Sequence, residues 1–307
     1  FYDSRNVFRT DAKFKTYGAT LRVDQEIGFA DVVSISGYKR SIGSLDAQVN
    51  FLSPTWFKIT TGNVDKQITQ EIQLKSKASS SINWIVGAFY MHNRAGYNPA
   101  TFQGDLINFF VVPGGKQEIF GYQTIDSYSV FGQATFPLGE ATNLTGGLRY
   151  TKDDLKGAGE VFITDPAVGT SQAGPTQRTS HTFRRVTWKA AIDHRLSQDV
   201  MVYGSYSRGY KAGTYNTIPL SAEPANPEIV DAYEVGLKSE LFGRRVRLNG
   251  ALFWSDIKDP QVQTVVGTGF SAASGLINAG SARTRGAELS VTAVATSGLE
   301  LRGNVTY

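Results

Sequence analysis

The segment Thr142-Asn-Leu-Thr-Gly-Gly-Leu-Arg-Tyr-Thr-Lys152 alternates between two kinds of side chain. In an extended chain, Leu144, Leu148 and Tyr150 share one face, whereas Arg149 lies on the other face with threonine and glycine. A period of two residues predicts a β-strand with one apolar and one polar face. An apolar face that ends in an aromatic ring is typical of a strand whose outside contacts lipid and whose inside contacts water.

The same alternation recurs along the chain and predicts about twelve strands, most of them roughly 9–13 residues long. This is the length that a tilted strand needs to cross a bilayer. The predicted strands are 14–24, 29–40, 67–77, 82–94, 126–136, 142–152, 181–193, 199–209, 229–241, 245–257, 284–295 and 299–307. The longest apolar run, Trp84 to Met91, is far shorter than the roughly 18 residues of a membrane helix. The sequence therefore predicts an all-β fold, a transmembrane antiparallel up-and-down β-barrel.

The predicted connections alternate between short and long. The short ones are 25–28, 78–81, 137–141, 194–198, 242–244 and 296–298, and the long ones are about 41–66, 95–125, 153–180, 210–228 and 258–283. Outer-membrane barrels show this asymmetry because one end carries tight turns and the other end carries functional loops.

A soluble β-sandwich is the competing interpretation, since it has the same period with the apolar face turned into a core. Long loops at every second connection are unusual in soluble sheets. Tyrosine and tryptophan also stand at the ends of the apolar faces, as at a membrane interface: Tyr17, Tyr90, Tyr128, Tyr150 and Trp254. Both observations favour the membrane barrel.

Composition excludes several classes of protein. The net charge is only +4 and the chain has no run of five Lys or Arg residues, so we expect no nucleic-acid partner. The absence of cysteine excludes disulfides and thiolate metal sites. The chain starts at Phe1 without a signal peptide and stops at Tyr307 within a predicted strand, so we expect an internal piece of a longer protein.

Four blocks of sequence carry a family resemblance. They are Val202 to Asn216, Pro227 to Leu241 with Tyr-Glu-Val-Gly-Leu-Lys at 233–238, Arg245 to Gln261, and Asn278 to Leu289 with Arg-Gly-Ala-Glu at 285–288. In this order they resemble the barrel of TonB-dependent receptors, and Gly121-Tyr122 leading to Ser127–Gln133 extends the resemblance to the first half of the chain.

This resemblance implies a bacterial outer-membrane barrel of roughly 22 strands that is closed by an N-terminal plug. Residues 1–307 would then be part of the barrel domain, without the plug and without about ten strands. The family also implies outer-membrane lipid as a partner, energy from TonB acting through the plug, and the import of a ferric siderophore or a similar large nutrient.

Charged residues on the polar faces of the strands are predicted to face the lumen and the plug. They are Arg149, Glu234, Lys238, Arg247 and Glu288. Carboxylates placed opposite Arg and Lys on neighbouring strands form cross-strand charge pairs, and this interpretation is preferred over an acid and base pair for glycoside cleavage.

The predicted loops and upper rim are rich in aromatic residues, which offer rigid faces to flat ligands. The predicted ligand-binding residues are Tyr210, Lys211, Tyr215, Trp56, Phe109 and Phe110. The competing interpretation is that these rings pack loop against loop.

No enzymatic site or cofactor is predicted. Gly204 to Gly209 lacks the spacing and the strand-to-helix turn of a hydrolase nucleophile. His92, His181 and His194 lack the spacing of metal ligands. The leading functional hypothesis is active import of a bulky anionic ligand such as a ferric chelate, because lumenal Arg and Lys would concentrate anions. A TonB-dependent glycan importer and a passive porin are the alternatives.

Overall fold

The computed structural model describes residues 10–48, 57–105, 112–266 and 273–307. The strands are β1 (Asp11–Ile27), β2 (Ala30–Gln48), β3 (Phe57–Ser76), β4 (Asn83–Gly104), β5 (Lys116–Leu138), β6 (Thr142–Asp165), β7 (Gly169–Gln172), β8 (Gln177–Ser197), β9 (Val200–Lys211), β10 (Glu228–Leu241), β11 (Val246–Lys258), β12 (Gln261–Val266), β13 (Ala273–Asn278), β14 (Ser281–Thr296) and β15 (Leu299–Thr306). Within these ranges no helix is long and apolar enough to cross a membrane.

One large antiparallel sheet contains almost all of the strands. Its order is β1-β2-β3-β4-β5-β6-β8-β9-β10-β11-β14-β15, with β7 as a short addition to β6. The strands β12 and β13 form a separate hairpin between β11 and β14. Neighbours in the sheet follow the order of the chain, so the up-and-down antiparallel architecture predicted from the sequence is confirmed.

All six short connections are confirmed as tight links between consecutive strands. They are 28–29, 77–82, 139–141, 198–199, 242–245 and 297–298. In the link from β10 to β11, Phe242, Gly243 and Arg244 all have positive φ. We call the end of the sheet that carries these links the turn end and the opposite end the loop end.

Strand length is where the prediction is wrong. The strand β6 runs for 24 residues, and β4 and β5 run for 22 and 23. Most of the predicted loops 41–66, 95–125 and 153–180 is therefore paired strand. Neither face of a strand contacts lipid once the strand leaves the bilayer, so the alternation that marks a half-apolar strand ends while the backbone hydrogen bonds continue.

The two faces of the sheet differ as predicted. We call the face that carries Leu148 the outer face and the face that carries Arg149 the inner face. On the outer face Leu148, Val235 and Leu252 are 64%, 55% and 59% exposed. Large apolar side chains exposed in a continuous band are expected where lipid is the solvent.

Aromatic rings border this band on the loop-end side, and we call them the girdle: Tyr90, Tyr128, Tyr150, Trp188, Tyr206, Tyr233 and Trp254. Neighbouring rings touch across the strands. The centroids of Tyr90 and Tyr128 are 5.1 Å apart, and those of Tyr206 and Tyr233 are 4.7 Å apart in a stacked arrangement. Such a belt marks the membrane–water interface.

Four aromatic rings on the inner face lie opposite a glycine of the neighbouring strand. The pairs are Phe14 with Gly43, Phe131 with Gly87, Tyr203 with Gly236, and Phe253 with Gly286. Each ring covers the bare backbone of its glycine. Over Gly236, the hydroxyl of Tyr203 donates to Glu234 at 2.6 Å and Lys238 lies 5.4 Å from the ring centroid. This packing explains the Glu-x-Gly-x-Lys spacing at 234–238.

We expect Gly236→Ala to destabilise the full-length protein by about 1–3 kcal/mol. A Cβ at this position would lie 2.5 Å from the ring of Tyr203, so the ring has to leave its place over the backbone. The matched control is Gly204→Ala on the outer face, where the nearest atom would be 3.8 Å away. Urea unfolding in detergent micelles measures both, and equal stability of the two variants would contradict the packing role.

Candidate ligand site on the inner face

The connection between β9 and β10 does not project from the sheet. Residues 212–227, which we call the inner segment, fold back onto the inner face. Tyr215 and Leu220 pack against Leu155 and Phe183 in a small buried core, with Ile125 at its margin. Apolar residues of the segment are thus buried against the wall of the barrel.

Hydrogen bonds fix the inner segment to two strands. The side-chain oxygen of Gln123 accepts from the amide N of Tyr215 at 2.5 Å and from the hydroxyl of Thr214 at 3.2 Å. The hydroxyl of Thr179 donates to the carbonyl oxygen of Ala222 at 2.9 Å. The segment is therefore bonded to β5 and β8 and not only packed against them.

A third attachment joins the inner segment to the β12–β13 hairpin. The amide of Asn216 donates to the carbonyl oxygen of Leu276 at 3.0 Å and accepts from the backbone N of Leu276 at 2.7 Å. The side chain of Asn216 thus makes the donor and acceptor bonds that a neighbouring strand would make. The segment therefore connects the wall to the hairpin.

Glycines in the wall let the segment approach closely. A Cβ at Gly121 would overlap the carbonyl oxygen of Thr217, and a Cβ at Gly157 or Gly159 would lie 2.8 Å from side-chain atoms of Thr179 or Leu220. Only glycine leaves the backbone of β5 and β6 bare enough for this contact.

Beside the inner segment lies a pocket of about 360 Å³, which we call the inner pocket. Its walls are Phe14, Ser41, Gly43, Asn63, Val64, Asp65, Ala95, Gly96, Tyr97, Gln123, Thr214, Tyr215 and Thr217. Three aromatic residues therefore stand near amide and hydroxyl groups, with one carboxylate and no Lys or Arg. The carboxylate of Asp65 accepts from the amide of Asn93 at 2.6 Å.

The chain is similar to known proteins along its entire length. A family model described as "TonB dependent receptor-like, beta-barrel" covers residues 1–307. The chain belongs to the TonB-dependent receptors. These receptors are proteins of the bacterial outer membrane, and the family consists of transport receptors.

Individual relatives of the receptor are distant. It is 26% identical to the catecholate siderophore receptor Fiu of Escherichia coli O157:H7, over 99% of this chain and 45% of the relative. It is 26% identical to the pesticin receptor of Yersinia enterocolitica (serotype O:8 / biotype 1B), over 55% of this chain and 24% of the relative. The chain thus spans less than half the length of these curated relatives.

Among solved structures, the fold resembles the ferric yersiniabactin uptake receptor FyuA from Yersinia pestis. The TM-score is 0.77 at 20% identity, and the match covers 96% of this chain and 42% of that one. At this identity the likeness establishes the fold of the receptor.

The structure describes three of the six predicted ligand-binding residues. Tyr215 is 4% exposed in the core of the inner segment, so its ring packs against the wall. Lys211 is exposed and its Nζ lies 3.8 Å from the carboxylate of Glu228. Trp56, Phe109 and Phe110 lie outside the described residues, and their predicted role stays a prediction.

Tyr210 holds a buried carboxylate. Its hydroxyl donates to Asp153 at 2.5 Å, and Asp153 is 2% exposed on the inner face. Burial and this hydrogen bond raise the pKa of Tyr210 well above its ordinary value, so the phenol stays protonated and remains a donor. The predicted rim residue thus contacts the wall of the receptor.

The five charged residues predicted for the lumen lie on the inner face, because along their strands they alternate with residues on the side of the girdle. Arg247 donates to Glu240 of the facing strand at 2.8 Å, which is the predicted kind of cross-strand pair. The guanidinium of Arg149 lies 5.5 and 5.4 Å from the rings of Phe89 and Phe131. Contact of these residues with a plug stays a prediction.

Sequence reasoning gave no role to several residues of the inner pocket. Asn63 and Gln123 fell within the predicted loops 41–66 and 95–125, and the side-chain oxygen of Gln123 proved to be the main anchor of the inner segment. The signal that could have placed such residues on strands was a high strand propensity without alternation of apolar and polar residues, as in Ile119 to Ile125.

The described part of the chain has no group of three His, Asp or Glu side chains that could hold a metal ion.

Proposed function

We propose that this receptor binds a ferric siderophore in the inner pocket and imports it across the outer membrane with energy supplied through TonB. The observation that carries this proposal is the inner pocket itself, a concave site inside the barrel wall with three aromatic residues beside amide and hydroxyl groups. The similarity to a catecholate siderophore receptor and to a ferric yersiniabactin uptake receptor supports the same class of ligand.

The chemistry of the pocket suits part of a flat, oxygen-rich chelate. Phe14 and Tyr97 offer ring faces for stacking, and Asn63 and Gln123 offer amide groups that can donate or accept. The lining has no positive charge, contrary to the expectation of lumenal Arg and Lys around an anion. The negative charge of a ferric chelate must then be matched by groups outside this pocket.

We expect Tyr97→Ala in the full-length receptor to reduce uptake of the ferric siderophore about tenfold, because a stacked aromatic face contributes about 1–1.5 kcal/mol. The matched control is Tyr17→Ala, which removes an exposed tyrosine from the outer face. Uptake of ⁵⁵Fe-loaded siderophore by whole cells measures both variants. Equal uptake by Tyr97→Ala and the wild type would contradict ligand binding in the inner pocket.

Dependence on TonB is tested separately. Deletion of TonB or collapse of the proton gradient should abolish accumulation of the chelate while binding to whole cells persists. Accumulation that continues without TonB would indicate passive diffusion. Induction of the gene by a glycan, with no response to iron starvation, would favour the carbohydrate importer instead.

A further inference from the structure

A second pocket, of about 500 Å³, lies on the outer face near the loop end of β4, β5, β6 and β8. We call it the outer basic pocket. Arg94, Lys156 and Arg178 line it together with Thr124, Ser180 and Tyr122, and no carboxylate lines it. All three cations are exposed.

The register of the sheet places cations and hydroxyls side by side. Arg94, Thr124, Lys156 and Ser180 are direct partners across four neighbouring strands. Arg178 lies in the next row towards the loop end, opposite Ala158. A row in which cations alternate with hydroxyl donors is suited to an anion with several oxygen atoms, such as a phosphate.

The cations of the pocket have no carboxylate partner. Among the described residues, no Asp or Glu oxygen lies within 4.0 Å of their charged nitrogens, and the guanidinium of Arg94 instead lies 4.6 Å from the ring centroid of Tyr122. Asp154, on the same face, already accepts from Lys152 and Thr182.

Two further carboxylates on the outer face are also engaged. Asp126 accepts from Tyr90 at 3.1 Å and contacts His92 at 2.7 Å. Glu160 accepts from the hydroxyl of Thr176 at 2.8 Å. The positive charge of the pocket is therefore available to a ligand.

The height of the outer basic pocket above the membrane indicates which kind of ligand can reach it. Arg94 follows the girdle residue Tyr90 by four positions, and Lys156 follows Tyr150 by six. At roughly 3.3 Å per residue and a tilt of about 45°, they lie roughly 9 and 14 Å beyond the girdle. The headgroup layer of an ordinary bilayer is only about 5–8 Å thick on each side. Phospholipid phosphates fall short of this pocket, whereas phosphates on the sugars of a glycolipid reach it.

We propose that the outer basic pocket binds a phosphorylated glycolipid of the outer leaflet, a lipopolysaccharide, through phosphate groups on its sugar core. The apolar band and the girdle below the pocket contact its acyl chains, and Arg94, Lys156 and Arg178 bind the phosphates. This site is separate from the inner pocket because the two lie on opposite faces of the same strands.

Binding of purified lipopolysaccharide to the full-length receptor in detergent tests the proposal. The variant Lys156→Gln with Arg178→Gln should bind roughly 100-fold more weakly than the wild type, since each charge-assisted contact contributes about tenfold. The matched control is Arg195→Gln with Arg244→Gln, which removes the same charge at the turn end and should bind like the wild type. Lys156→Arg, which keeps the charge, should also bind normally.

The source of the phosphate is tested with two further probes. Lipopolysaccharide without core phosphates and vesicles of phosphatidylglycerol should both bind the wild type at least tenfold more weakly than phosphorylated lipopolysaccharide. If either probe binds the wild type as tightly as phosphorylated lipopolysaccharide does, the proposal is overturned. It is also overturned if the turn-end control loses as much affinity as the variant Lys156→Gln with Arg178→Gln. Heat-modifiable electrophoretic mobility confirms that each variant is folded, and wild-type affinity in a folded Lys156→Gln, Arg178→Gln variant overturns the proposal as well.

Discussion

Arginine in place of Ile192 is expected to lower the free energy of unfolding of the full-length receptor by about 2–4 kcal/mol. Ile192 is 48% exposed on the outer face, four positions from the girdle residue Trp188 towards the turn end. Its neighbours across the strands are Leu144 and Gly204. A guanidinium at this depth has lipid as its solvent and no partner, which is the costly case for a charge in a bilayer.

The matched control for this change is one residue away. Ala191 lies on the inner face between Thr145 and Ser205, so an arginine there finds water and hydroxyl groups. We expect Ala191→Arg to cost less than about 1 kcal/mol. Unfolding by urea in lipid vesicles compares the two variants. Equal costs would mean that the inner and outer faces have been assigned to the wrong sides.

Alanine at Gly121 is expected to displace the inner segment from the wall while the barrel itself stays folded. The new Cβ would overlap the carbonyl oxygen of Thr217, and a backbone atom cannot move aside as a side chain can. Displacement exposes Tyr215 and Leu220, whose burial contributes about 4 kcal/mol together. Opening of the segment should then become roughly 1000-fold more frequent.

Amide hydrogen exchange of residues 212–227 measures this opening, since the backbone N of Tyr215 and that of Ala225 are both bonded in the closed segment. The control is Gly147→Ala, also on the inner face, where a Cβ would make ordinary contacts of 3.4 Å with Gln133. Unchanged exchange in Gly121→Ala would show that the glycine does not determine the position of the segment.

The half of each strand that lies in the membrane could be predicted from the sequence. In β6, alternation of Leu144, Leu148 and Tyr150 with polar residues follows from the contrast between lipid and water, and the structure confirms it. The outer half of the same strand, from Asp153 to Asp165, has water or other protein on both sides. Because this half has no contrast between a lipid-facing and a water-facing side, its sequence does not alternate, and the prediction placed it in a loop.

The candidate site could not be predicted for a different reason. Tyr215 follows a strand at the rim, but the chain turns back there and buries its ring against the wall beside the inner pocket. That turn depends on bare backbone at Gly121, Gly157 and Gly159, residues far from the segment in sequence. Such pairing between distant positions leaves no local pattern, so a single sequence does not reveal it.

The long strands that rise beyond the girdle have an evolutionary consequence. In this part of the sheet, consecutive residues lie on opposite faces of the wall, so a single substitution changes only one face. Ala95 lines the inner pocket while Arg94 faces outwards, and Gln123 and Thr124 divide in the same way. A substitution of an outward-facing residue can therefore arise next to a residue of the inner pocket without altering that pocket.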